Sequence, residues 1–130
     1  MTENITVTGL VATTPRHLVT SEGVQITSFR LASVQRRFDT DQQVWVDGDT
    51  NWLTVAAFRD LAVNVVGSVV KGQRVVVVGK LRIRDWESGD RSGTTVEVEA
   101  ETIGHDLRWG EAVFTRANRT VPLSEDPVAG

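Results

Sequence analysis

Apolar residues recur at every second position through most of this chain and at helical spacing in one stretch. From Asn4 to Ala12, the residues Ile5, Val7, Gly9 and Val11 share one parity, which predicts a half-buried first strand that Thr14-Pro15 ends or bends. Gly9 within that strand marks a bend or a close backbone approach. Ser21-Glu22-Gly23 is a turn signal, and Val24 to about Arg37 follows as a long second strand with Ile26, Phe29 and Leu31 toward the core. The parity slips between Ile26 and Phe29, which predicts a bulge there. Phe38 to Asn51 reads as a polar, protruding finger with a hairpin turn at Asp47-Gly48. Asn51 to Phe58 is the third strand: Leu53, Val55 and Ala57 turn inward, which leaves Trp52 and Phe58 pointing the other way.

The period then changes. Leu61, Ala62, Val65, Val66, Val69 and Val70 recur at helical spacing, so Arg59 to Val70 is predicted as a helix, with Lys71-Gly72 at its end. The valines weaken it, because β-branched side chains are mediocre helix formers. Gln73 to Trp86 returns to strand, Glu87 to Gly93 supplies a second finger, and Thr94 to Ile103 alternates again. Five strands with one helix between the third and the fourth make an all-β chain with the pattern of a five-stranded OB-fold barrel. Residues 1–109 are expected to form that domain with a terminal extension, and residues 110–130, with Pro122 and Pro127, a mobile tail.

With 130 residues and 40% apolar content, the chain has material for one core. It has no cysteine, so disulfides, thiol nucleophiles and cysteine-bound metals are excluded, and a reducing cytoplasm is the expected setting. Met1 to Leu10 lacks the basic start and apolar run of a signal peptide, and no membrane span is expected. A net charge of −3 argues against a general basic field that holds nucleic acid. Any such binding must rest on local patches and stacking.

Those patches are visible in the alternation. In Lys80-Leu81-Arg82-Ile83-Arg84-Asp85-Trp86, Leu81 and Ile83 are expected inward, with Lys80, Arg82, Arg84 and Trp86 together outward. Flat rings beside guanidinium groups on a solvent face suit stacked bases and phosphates. In the fifth strand, Val96, Val98 and Ala100 are expected inward, leaving Glu97, Glu99 and Glu101 as an outward row that repels a phosphate backbone or simply keeps the surface solvated. Nucleic acid is expected to avoid that face.

The ordered set Phe29-Arg30-Leu31-Ala32-Ser33, Thr50-Asn51-Trp52, Phe58, Lys71-Gly72 and Gly79 to Trp86 resembles the bacterial single-stranded DNA-binding proteins, over roughly Ile5 to Leu107. The resemblance implies base stacking on Trp52, Phe58 and Trp86, the same residues that alternation turns outward. A fourth stacking position falls at Arg36-Arg37-Phe38, where either Phe38 or an arginine would serve. Trp45 in the first finger is a further stacking candidate or a finger-packing residue. Phosphate-contact candidates are Arg30, Arg36, Arg37, Arg59, Lys80, Arg82 and Arg84.

The resemblance also implies a homotetramer built by pairing of first strands, a nucleoid-associated place in the cytoplasm, and work in replication, repair or recombination beside other proteins of those processes. Ile103 to Trp109 resembles the part of a subgroup that clasps a neighbouring subunit; Trp109 would then be an interface residue, or else a ring packed on its own barrel. Family members commonly end in an acidic tip with a terminal Pro-Phe that partner enzymes grasp. Ser124 to Gly130 lacks it, which fits an accessory paralogue less dependent on tail recruitment, or a chain that has lost its tail.

Enzyme readings find little support. His17 and His105 lie far apart, with no metal-ligand spacing and no nucleophile motif. Asp39, Asp41, Asp47 and Asp49 do not match a calcium loop and read as turn residues. Lysine precedes glycine in Gly67 to Gly72, unlike a phosphate-binding loop. No cofactor is implied. The alternative from another class is an OB-fold adaptor of primosome type whose exposed aromatics anchor a protein partner.

Overall fold

The computed structural model describes residues 3–117. Six strands and one helix follow in the order β1 (Glu3–Val11), β2 (Arg16–Val19), β3 (Gln25–Asp39), β4 (Val44–Phe58), α1 (Arg59–Val66), β5 (Arg74–Ser88) and β6 (Arg91–His105). The sheet order is β1-β5-β6-β4-β3-β2, and β1 also pairs with β3. Leu10 opposite Ala32 and Val11 opposite Leu31 therefore close five strands into a ring, with β2 hanging on the outer edge of β3. This is the expected all-β barrel, with its single helix between the third and fourth strands of the ring.

The core follows from the alternation. Val11, Phe29, Leu31, Leu53, Val55, Ala57, Val75, Val77, Val98 and Ala100 line the interior, and Ala62, Val65 and Val69 close it from the helical side. Gly9 sits where its backbone passes the Ala32 carbonyl, so an added Cβ would lie 2.6 Å from that oxygen. The close approach expected from the sequence is thus the crossing of β1 over β3.

Several expectations need correction. There is no bulge between Ile26 and Phe29: pairing runs unbroken from Ile26 opposite Phe58 to Val34 opposite Thr50. The inward residues are Thr27, Phe29 and Leu31, and Ile26 faces out. A threonine was the hidden core position because its hydroxyl is satisfied there. It donates to the Ala62 carbonyl at 2.8 Å; its single proton being spent, it accepts from Nδ1 of His17, also at 2.8 Å. The register shift of β3 lies further along, between Val34 and Arg36, and Asp47-Gly48 belongs to the irregularity opposite it rather than to a turn. The hairpin turns at Thr40 to Gln43, where Gln43 takes a φ of 56° and the Asp39 carboxylate accepts from the Asp41 amide at 2.9 Å.

β2 was not foreseen. Its four residues are all exposed and show no apolar alternation; the strand exists because it pairs with β3 and because His17 reaches Thr27 and Gln25. The helix ends at Val66 rather than Val70, although one further turn, held by the Val69 amide on the Val65 carbonyl at 2.9 Å, still buries Val69. Residues 110–117 carry no strand or helix. The remainder of the predicted tail, including Pro122, Pro127 and the stretch from Ser124 to Gly130, lies outside the described residues.

Candidate nucleic-acid interface

Register across β3, β4, β6 and β5 assembles one outward sheet face. Thr54 stands beside Arg30 on one side and Glu97 on the other, and Glu97 is opposite Arg82; in the next row Ser28, Ala56, Glu99 and Lys80 follow in the same order. Trp52, two residues before Thr54, and Phe58, two after Ala56, therefore project from this face at its two ends. Trp86 shares the parity of Lys80, Arg82 and Arg84 and stands on the same face of the β5–β6 hairpin.

Trp52 is 52% exposed, with the Arg30 guanidinium 5.7 Å from its ring centre. The cation covers an edge of the platform and is itself exposed, so it can meet a phosphate beside a stacked base. Phe58 is half-buried, beside Ile26. Arg59 follows it with a left-handed φ of 62°, the sharp bend by which β4 enters α1, and its side chain is exposed.

Trp86 lies over Gly93, its cross-strand partner. A Cβ on Gly93 would fall 2.6 Å from Cζ2 of the indole and 2.9 Å from Cε2, so the absent side chain is the seat of the ring. The hairpin itself turns on Gly89, with a φ of 63° ahead of Asp90, as a two-residue loop with glycine in its first place requires. No alternation signal pointed to Gly93; its position opposite a tryptophan on a paired strand was the only cue.

Leu81 is half-buried as expected, but Ile83 is 64% exposed. Its parity is that of the core, and Val96 opposite it still packs against the core, but Ile83 itself stands at the rim where the hairpin leaves the barrel. Trp45 is 60% exposed in the other hairpin, opposite Phe38. The backbones of Arg36, Arg37 and Phe38 pair with Asp47, Val46 and Trp45, while their side chains lie outside the described residues.

The main departure concerns charge. The basic residues of β5 and the glutamates of β6 occupy the same face, not opposite ones. Arg82 meets Glu99 at 2.7 Å, Arg84 meets Glu97 at 3.4 Å, and Lys80 comes within 4.0 Å of Glu101. Each cation reaches the carboxylate two positions along from its directly opposed residue, a diagonal ladder that strand twist favours. Sequence reasoning read each strand singly and assigned the carboxylates to a face that nucleic acid avoids; antiparallel pairing puts them among the candidate contacts.

Away from this face, Trp109 is stacked on its own barrel by one side. Arg74 of β5 lies 4.4 Å from its ring centre, and the indole remains 58% exposed. Among the described residues, no three His, Asp or Glu side chains gather as metal ligands, and no helix is long and apolar enough to cross a membrane.

Comparison with known proteins agrees with this architecture. The model of the "Single-strand binding protein family" matches residues 2–106. Single-stranded DNA-binding protein 2 of Tropheryma whipplei (strain Twist) is 53% identical over 123 residues, covering 95% of this chain and 81% of the relative. Single-stranded DNA-binding protein 1 of Streptomyces coelicolor is 42% identical over 121 residues, covering 92% and 76%. Among solved structures, the small single-stranded DNA-binding protein from Streptomyces coelicolor superposes with a TM-score of 0.77 at 40% identity, covering 84% of this chain and 98% of that one. The second single-stranded DNA-binding protein from Mycobacterium smegmatis gives 0.71 at 29%, covering 89% and 100%.

Proposed function

The chain belongs to the single-strand binding protein family, and on that premise we propose that it binds single-stranded DNA without catalysis, by stacking bases on Trp52, Phe58 and Trp86. The observation that carries this is the shared outward face: three rings on the surface of one sheet, two of them about half exposed, with Arg30 beside Trp52. Trp45 and Phe38, paired across the β3–β4 hairpin, extend the path. Arg30, Arg36, Arg37 and Arg59 contact phosphates; Lys80, Arg82 and Arg84 do so after exchanging a glutamate for a phosphate oxygen.

Each stacked base contributes about 1 to 3 kcal/mol, whereas an exposed ion pair contributes about 1 kcal/mol or less. Stacking therefore dominates in a chain of net charge −3. Every base has a flat face, so binding is largely independent of sequence; a duplex hides those faces, so single strands are preferred. Coating of exposed strands in this way serves replication, repair or recombination in the cytoplasm, at the nucleoid. Assembly as a homotetramer is part of the same reading. It is supported by β1, where among the described residues Glu3 to Gly9 pair only toward β5, which leaves a second edge for a strand of another copy.

Titration with oligo(dT) tests the reading through tryptophan emission. The expected result is strong quenching that saturates at a defined nucleotide count and weakens only moderately with salt. Absence of quenching at low salt would refute it and favour aromatics that anchor a protein partner. Sedimentation of the same samples reports the assembly.

A further inference from the structure

The ladder on the outward face does more than decorate it. Among the described residues of this face, Lys80, Arg82 and Arg84 are held by Glu101, Glu99 and Glu97, whereas Arg30 faces a ring. The carboxylates occupy the middle of the sheet, between the β4 residues Thr54 and Ala56 and the cations of β5. A phosphate backbone approaching the β5 side of this face meets cations already engaged, and it must displace a carboxylate for each contact it gains with Lys80, Arg82 or Arg84.

We infer that Glu97, Glu99 and Glu101 determine specificity by acting as an internal competitor for phosphate. A ligand that offers phosphate alone, such as duplex DNA, exchanges one anion for another at each cation and gains little. A single strand also delivers bases to Trp52, Phe58 and Trp86, and for that stacking the glutamates do not compete. The ladder thereby suppresses charge-only binding more than it suppresses stacking. This inference rests on the proposed single-strand binding surface and assigns it a discriminating element.

The glutamate side chains are partly to half exposed, so their conversion to glutamine leaves the core untouched. The test compares the wild-type chain with the triple variant Glu97→Gln, Glu99→Gln, Glu101→Gln by fluorescence anisotropy, using a blunt duplex and oligo(dT) of equal length across a salt series. Duplex affinity is expected to rise at least tenfold at low salt. Its salt dependence should steepen by up to about 2.7 in log–log slope, since each freed cation neutralising one phosphate adds about 0.9. Between 50 and 200 mM salt that slope erases about 40-fold of the gain. Oligo(dT) affinity is expected to rise by a smaller factor, so that the preference for single strands falls.

Unchanged duplex binding by a variant with wild-type circular dichroism would overturn the inference, as would an equal gain for both ligands. If the triple variant does not fold, the single variants Glu97→Gln and Glu99→Gln decide by the same criterion, each with about one third of the change in slope. The wild-type arm separates the two claims. Failure of the wild type to bind oligo(dT) refutes the binding surface, whereas normal wild-type binding with no variant effect refutes the filter alone.

Discussion

Gly93→Ala separates the placement of a stacking ring from its presence. The wild-type glycine does not occupy a left-handed conformation, so alanine is permitted by the backbone. Its Cβ, however, would lie 2.6 Å from Cζ2 and 3.1 Å from Nε1 of Trp86. Carbon atoms in favourable contact stand about 3.5 to 4.0 Å apart, so the indole must lift or swing by about 1 Å. The ring is 43% exposed on a projecting hairpin, which makes that movement cheap; the effect on stability should stay within about 1 kcal/mol, including the lower entropy of the unfolded chain. Binding is a sharper readout, because a tilted ring stacks poorly. One platform is worth about 1 to 3 kcal/mol, or about 5- to 150-fold in affinity. Gly93→Ala should therefore bind oligo(dT) more weakly than wild type but no more weakly than Trp86→Ala, with both proteins melting near the wild-type temperature. Anisotropy titration alongside thermal denaturation measures both. Wild-type affinity in Gly93→Ala together with a loss in Trp86→Ala would refute the claim that the glycine seat sets the ring. Wild-type affinity in both would remove Trp86 from the platform.

Other changes probe separate links. Trp52→Ala removes an exposed ring and should cost about 5- to 150-fold in oligo(dT) affinity with the denaturation midpoint unchanged, as read by titration and urea unfolding. Thr27→Val keeps the shape but strips the buried Ala62 carbonyl and the His17 ring of their partner; a loss of about 1 to 3 kcal/mol is expected from urea unfolding, with β2 loosened in hydrogen exchange. Gly9→Ala would force a Cβ against the Ala32 carbonyl, a backbone group that cannot step aside, and should lower stability by about 1 to 3 kcal/mol in thermal unfolding.

The barrel was legible because each ring strand buries one parity. Val7, Leu53, Val55, Ala57 and Val98 are read correctly by alternation alone. Thr27 was missed because a hydroxyl hides its burial from any count of apolar residues, and this one error displaced Ile26 inward and created a bulge that does not exist. β2 was missed because its stability comes from partners on β3 rather than from its own pattern. The outward aromatics were legible for the same reason as the core, as the residues left over on the other face. What alternation cannot supply is the neighbour across the strand. The pairing of Arg82 with Glu99 and the seat of Trp86 on Gly93 both depend on register between β5 and β6, which no single strand encodes.

Photocrosslinking with oligo(dT) carrying iodouracil reports which rings touch bases. After irradiation at a long wavelength and digestion, mass spectrometry of the adducts should place them on Trp52, Phe58 and Trp86, with weaker adducts on Trp45 or Phe38. Adducts confined to β2, the helix or Trp109, with none on the sheet face that carries Trp52 and Trp86, would contradict the account.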